Sequence, residues 1–298
     1  MSPALPISQT NSQPNSQPPF PIPSRDADAH KGTFGRVLLI GGSRGMAGSI
    51  AMSAIAAMKS GSGLVSVAVP DPCLETVASF HPAMMTIPIS DDGGGCFGSN
   101  AASELLPKLE SVDAIAVGPG MTTGPGAKQI VEDLIDSAGR PMVLDADAIN
   151  CLAAKEDSNQ VRLNRVVLTP HPGELQRLTG VSSGQRDAQI AAASKFAKET
   201  AATIVVKGGP TVVVDGQQTY VNETGNPGMA TGGSGDVLTG VITSLLGQGL
   251  SPWEASCQGV WVHGLAGDIA ATQCGEISMT AMEIISSLSS AFQQSSPP

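Results

Sequence analysis

The chain has 298 residues, 41% of them hydrophobic and 14% charged, enough to bury a large core in one or two domains. A formal net charge of −10 without any Lys/Arg cluster argues against a nucleic-acid-binding surface, because backbone phosphates need a basic footprint. No apolar run reaches the ~18 residues of a membrane span.

Residues 1–25, "MSPALPISQTNSQPNSQPPFPIPSR", are rich in Pro, Ser, Gln and Asn and are expected to form a disordered tail. They lack the charged and apolar regions of a signal peptide, which points to a cytoplasmic protein. Cys73, Cys96, Cys151, Cys257 and Cys274 are odd in number and show no C-x-x-C spacing, so they read as free thiols of a reducing compartment. A single domain is expected over residues 26–292, with 293–298 frayed.

Within that domain the patterning predicts strands at Arg36–Ile40, Gly63–Val69, Ala114–Val117, Pro141–Asp145, Val166–Thr169, Thr203–Lys207, Thr211–Val214 and Gln218–Val221. Helices are predicted at Ser49–Lys59, Pro72–Ser79, Ser99–Leu109, Gly126–Ser137, Gly173–Thr179, Arg186–Thr200, Val237–Leu246, Pro252–Thr272 and Ala281–Ala291. The order is mostly strand-helix-strand, with Val-rich runs between Ala-rich ones. This predicts an α/β fold with a central, mostly parallel sheet and helices on both faces. The pair joined by "KGGP" breaks the rhythm and reads as an antiparallel hairpin at one edge.

Ligands of such sheets bind at the carboxyl ends of the strands. Five of those ends carry unusual residues: "IGGSRG", "VGPGM", "LDADAIN", "LTPHPGE" and "VKGGPT". In the first loop Gly41, Gly42, Gly45 and Gly48 do not have the spacing of a dinucleotide fingerprint, and no Gly-Lys-Ser/Thr exists for a P-loop. That loop either brings backbone amides to a ligand or simply turns the chain. Asp145 and Asp147 either cap the next turn or face the ligand. His171, between two prolines, is either a turn residue or a ligand contact. His263, in "WVHGLAGDIAA", reads as a packed histidine.

The stretch "GNPGMATGGSGD", residues 225–236, precedes an apolar helix. Its glycines let the backbone approach a ligand, and successive amides at a helix start form an anion site. Asp236 has two readings. It complements the helix dipole, or it takes a proton from a hydroxyl that attacks a phosphoryl group held at Gly233, Ser234 and Gly235.

The segment "NETGNPGMATGGSGDVLTG" resembles the signature of the ribokinase-like superfamily, with its Gly-x-Gly-Asp anion hole and base. Together with "AHKGTFGRVLLIGGSRGMAGS", "AIAVGPGM", "VLDADAIN", "VLTPHPGELQRLTG", "VVKGGPTVVVDG" and "VWVHGLAGDIAA", it makes the chain similar to the ADP/ATP-dependent NAD(P)H-hydrate dehydratases from about Asp26 to Ala271. The resemblance implies a ribokinase-like fold and a repair reaction. An adenine nucleotide drives removal of water from the (S)-epimer of the hydrated cofactors NADHX and NADPHX, so that ADP becomes AMP and phosphate.

Carried over by position, the resemblance makes Asp236 the base. It places Ser49, Gly120, His171 and Asn226 against the hydrated cofactor, and Lys207, Gly208, Gly209, Pro210, Thr211, Gly233, Ser234 and Gly235 around the nucleotide. Mg2+ is implied, organised through water by Glu174; His171 stands where the superfamily motif has Asn, which leaves direct metal contact open. Bacterial members generally use ADP, and the loops look bacterial, so ADP is expected ahead of ATP. A homo-oligomer such as a tetramer is implied. Because residues 1–25 cannot hold an epimerase domain, a separate epimerase is the expected partner. The alternative is a kinase of the same superfamily acting on a vitamin precursor such as hydroxyethylthiazole, which would share Asp236 but not "TPHPGE" or "VGPGM".

Overall fold

The computed structural model describes residues 17–22, 24–137 and 139–295. One nine-stranded sheet organises them: β1 (Arg36–Ile40), β2 (Leu64–Pro70), β3 (Met85–Ile89), β4 (Ala114–Val117), β5 (Met142–Leu144), β6 (Val166–Leu168), β7 (Thr203–Val206), β8 (Val212–Val214) and β9 (Thr219–Val221). The helices are α1 (Ala47–Lys59), α2 (Leu74–Ala78), α3 (Ala101–Leu105), α4 (Pro125–Ser137), α5 (Asp147–Ala153), α6 (Pro172–Thr179), α7 (Arg186–Thr200), α8 (Ser234–Gly247), α9 (Pro252–Cys274) and α10 (Ala281–Ser295).

The sheet order is β3-β2-β1-β4-β5-β6-β7-β8-β9. Strands from β3 to β7 pair in parallel, while β7–β8 and β8–β9 are antiparallel, with Val206 opposite Val212. The expected edge hairpin is thus present and carries one more strand. Alternation along each strand divides the core in two, because successive side chains point to opposite faces. Val37, Leu39, Ala114, Ala116, Val143 and Val205 face α1, α2, α8, α9 and α10. Leu38, Ile40, Ile115, Val117, Met142 and Leu144 face α3 to α7. Small residues on the first face let α8 lie close to the sheet. Gly240 lets α8 meet α1, since a Cβ there would stand 2.0 Å from the Ser53 carbonyl oxygen.

Four expectations need correction. Strand β3, "MTIPI", escapes the sequence because it is an edge strand with mostly solvent-facing side chains and an internal proline, which edges tolerate. Helix α5 is only seven residues long and reads as a turn after β5. Helix α10 runs through Ser295 instead of fraying at 293, because Ser295 is buried and its Oγ donates to the Ala291 carbonyl at 2.7 Å.

The end of the expected tail is also docked. The Phe20 ring packs on the core and its amide donates to Gln258 Oε1 at 3.2 Å. The Arg25 guanidinium lies 3.9 Å from the Phe34 ring centroid and donates to the Gly61 carbonyl. One aromatic ring and one arginine suffice to anchor a polar stretch. Residues 1–16 and 23 lie outside the described residues. Among the described residues, all five cysteines are free and no helix is long and apolar enough to cross a membrane.

Candidate active site

A cleft of about 1500 Å³ opens at the carboxyl ends of β5, β6 and β7 and is closed on one side by the segment between β9 and α8. Each strand end delivers functional groups. Asp145 follows β5, His171 and Glu174 follow β6, and Lys207 follows β7.

Helix α8 starts at Ser234, after Gly233 at φ 90°, and no side chain caps it. The Ser234 amide turns back weakly to the Thr231 carbonyl at 3.4 Å. An uncapped helix start carries partial positive charge and favours an anion. A full positive charge reinforces it, for a Cβ on Gly235 would lie 3.1 Å from Lys207 Nζ. Asp236 stands in the same first turn. Burial, and then the nearby Asp145 carboxylate, push its carboxyl up to about 7, against the opposing pull of a Ser49 hydroxyl hydrogen bond and Lys207. A carboxyl poised near neutrality suits proton transfer at physiological pH. Its carbonyl accepts from Ser53 Oγ at 2.8 Å, which ties the start of α8 to α1.

Lys207 Nζ donates to Asp145 Oδ1 at 2.8 Å and lies 4.0 Å from Glu174 Oε2. Burial alone would lower the ammonium, but the Asp145 and Glu174 carboxylates outweigh it and hold Lys207 above its ordinary value. Burial, reinforced by the Asp145 charge, pushes Glu174 up to about 7, although Lys207 and the His171 amide oppose it. His171 caps a helix and stands at the cleft. Its Nδ1 accepts from the Gly173 and Glu174 amides, capping α6, and its ring also lines the cleft. Its own amide donates to Glu174 Oε2 at 2.8 Å, and its Nε2 lies 3.2 Å from Glu174 Oε1.

Asn226, Lys207, Gly208 to Thr211, and Gly233 to Asp236 all line the cleft. Ser49 and Gly120 do not. The Ser49 hydroxyl bears on the site by lowering the Asp236 carboxyl, and Gly120 packs against Ser49, where an added Cβ would lie 3.1 Å from the serine Cβ. Ser49 stands in the first turn of α1 and Gly120 in the loop after β4, beside the point where the strand order reverses, and Ser43 Oγ joins the loops after β1 and β4 by donating to the Gly120 carbonyl at 2.8 Å. His263 is buried and held down to about 4 by that burial, so it is neutral; its Nε2 lies 3.5 Å from Ser234 Oγ.

Several contributors escaped sequence reasoning. Arg186, the first residue of α7, donates to the carbonyls of Lys207 (2.8 Å), Val206 (3.1 Å) and Pro210 (2.6 Å) and so holds the loop between β7 and β8. Nothing in its neighbourhood signals this. Asp268 accepts from the Gly225 amide and Asn226 Nδ2, both at 2.9 Å, and fastens the segment over the cleft to α9. A carboxylate in the second half of α9, within its apolar pattern, is the available signal. Asp147 does not face the cleft; it accepts from the Thr122 amide at 2.9 Å.

Among the described residues, no three His, Cys, Asp or Glu side chains converge on a metal site. Asp145 is neutralised by Lys207, and Glu174 is engaged by His171. This donor set suits a Mg2+ that keeps its waters and comes with a nucleotide's phosphates, not a cage of protein ligands.

Comparison with known proteins accords with this geometry. The NAD(P)H-hydrate dehydratase family model matches residues 37–290. A bifunctional NAD(P)H-hydrate repair enzyme Nnr of Moorella thermoacetica is 43% identical over 267 residues, 89% of this chain and 50% of that protein. An ADP-dependent (S)-NAD(P)H-hydrate dehydratase of Neisseria meningitidis serogroup B is 37% identical over 86% of this chain and 84% of its own length. Among solved structures, the ADP/ATP-dependent NAD(P)H-hydrate dehydratase of Bacillus subtilis, co-crystallised with ATP/Mg2+, superposes with a TM-score of 0.79 at 29% identity, covering 92% of this chain and 94% of that one. The chain spans about half the length of the bifunctional relatives it matches. It belongs to the NAD(P)H-hydrate dehydratase family, on a ribokinase-like fold.

Proposed function

We propose that this protein dehydrates the (S)-epimer of NAD(P)H hydrate back to NAD(P)H at the expense of ADP, which becomes AMP and phosphate. The observation that carries the reading is the triad at the start of α8: an uncapped helix terminus, the Lys207 ammonium beside Gly235, and Asp236 titrating near neutrality in the same turn. Phosphoryl transfer needs this pairing of charge neutralisation with a positioned base. The match to an ADP-dependent (S)-NAD(P)H-hydrate dehydratase over most of both chains supports the choice of substrate and nucleotide.

Asp236 takes the proton of the C6 hydroxyl as its oxygen attacks the β-phosphorus of ADP, and AMP departs. Hydroxide is a poor leaving group and phosphate a good one. The ring-nitrogen lone pair then expels phosphate from C6, and loss of the C5 proton restores the dihydropyridine. Lys207 and the amides at the start of α8 hold the transferring phosphoryl group. Gly208 to Thr211 line the nucleotide side and His171 and Asn226 the hydrate side, with Ser49, and Gly120 behind it, bearing on the hydrate through Asp236. Mg2+ would be held by the phosphates and, through water, by Glu174; when bound it withdraws charge from the transferring group. The (R)-epimer is left to an epimerase activity. A cytoplasmic homo-oligomer, such as a tetramer, completes this reading and is open to light scattering.

The test is to incubate the protein with acid-hydrated NADH and either ADP or ATP. Recovery of absorbance at 340 nm with nucleotide consumption is expected, faster with ADP. No recovery, alongside phosphorylation of hydroxyethylthiazole, would replace the dehydratase with a vitamin-precursor kinase.

A further inference from the structure

Asp145 is the most completely satisfied charge in the cleft. It is 1% exposed, and its Oδ1 accepts from Thr169 Oγ1 at 2.7 Å and Lys207 Nζ at 2.8 Å. Its Oδ2 accepts from Thr239 Oγ1 at 2.7 Å. Both threonines are fully buried. The backbone is set to aim this carboxylate. Ala146, the next residue, sits at φ 50° and ψ −118°, a conformation that costs a non-glycine residue energy, in a turn closed by the Ala148 amide on the Asp145 carbonyl at 3.0 Å. Strain of this kind persists where the surroundings over-determine it, commonly at functional sites.

We propose that Asp145 is a positioning residue that acts through Lys207. Held by two buried hydroxyls, it fixes the ammonium against Gly235, so that one lysine conformer meets the transferring phosphoryl group. A lysine carries four rotatable bonds and would otherwise meet the phosphate from many directions. The threonines make the placement mutual: Thr239 lies one turn beyond Asp236 on α8, so the helix that presents the anion hole and the base also fixes the carboxylate that steers the lysine. Glu174, 4.0 Å from Lys207 Nζ, is too far to replace Asp145 as a hydrogen-bonded anchor.

The inference rests on the dehydratase reading, which wild-type turnover in the same assay tests separately. The experiment is a double-mutant cycle of wild type, Asp145→Asn, Lys207→Met and the double variant, following kcat, the KM for hydrated NADH and the calorimetric affinity for ADP. If Asp145 acts through Lys207, D145N lowers kcat by about 100-fold with the hydrate KM within about threefold of wild type, and on the K207M background it costs no more than about threefold further. Losses that multiply, or a D145N enzyme within about threefold of wild type, overturn the proposal. Should D145N fail to fold by circular dichroism, Thr239→Val decides: a loss of about fivefold in the wild-type background that vanishes with K207M supports the proposal, and an equal loss in both sinks it. If the wild type turns over no hydrate, the same cycle read in ADP affinity decides by the same criterion.

Discussion

Replacing Asp236 by Asn should abolish turnover and yet make the protein more stable above neutral pH. The carboxyl titrates near 7 in the folded chain, raised first by burial and then by Asp145, against an ordinary value of 3.8. The folded state therefore holds this proton more tightly than the unfolded state, and stability falls as pH rises from about 4 to about 7. Below that window both states are protonated and the group contributes nothing. Above it, at about 1.4 kcal/mol per pH unit of difference, ionised Asp236 destabilises the fold by up to about 4 kcal/mol. Asn cannot ionise, and it keeps a group for the Ser49 hydroxyl to bond.

Urea denaturation of both proteins across this range gives the magnitude. The D236N advantage should be under about 1 kcal/mol at pH 4 and grow to its full size above pH 7. Wild-type kcat/KM should rise with pH as the base ionises and level off above about 7, falling to about 1% of the plateau at pH 5. ADP affinity of D236N should stay broadly intact, because the helix start and Lys207 are untouched. A stability difference that does not change with pH would show that the carboxyl is not held protonated by its surroundings. Retained turnover in D236N would remove it as the base.

Ala146→Gly should relieve the strain at φ 50° and raise stability by about 0.5–1 kcal/mol in urea melts, since glycine adopts this conformation without penalty. Arg186→Met should release the three carbonyls of the loop between β7 and β8, raising the KM for ADP by about tenfold and leaving the KM for hydrated NADH unchanged.

Most of the fold was legible because buried parallel strands announce themselves. Runs such as "RVLLI", "AIAV" and "TIVV" are apolar on both faces, and short glycine- or proline-marked connections separate them from amphipathic helices. Strand β3 lacks that mark for a physical reason: as an edge strand with exposed Met85 and Pro88, it has one partner and little to bury. Phe20 and Arg25 escape differently. Their segment has the composition of a tail, and only a surface formed by residues distant in sequence gives it a place to dock.

The candidate site was legible where chemistry is carried by one contiguous stretch. "GNPGMATGGSGD" holds the glycines, the helix start and Asp236 within twelve residues, so one segment states both the anion hole and the base. The charge arrangement is another matter, because no stretch contains it. Asp145, Thr169, Lys207 and Thr239 stand on or beside β5, β6, β7 and α8, and meet only when the sheet order is in place. From sequence, Asp145 capping a turn and Asp145 facing a ligand were equally good readings. In the structure it lines the cleft and is held there by Thr169, Thr239 and Lys207. A carboxylate with two hydroxyl donors and an ammonium has little capacity left for a substrate, so its influence passes through Lys207. Asp236, with burial and a neighbouring negative charge raising it, is correspondingly free to change protonation state at the start of α8. Two carboxylates in one cleft are thus assigned different tasks by their partners: one fixed in place, the other poised to take a proton.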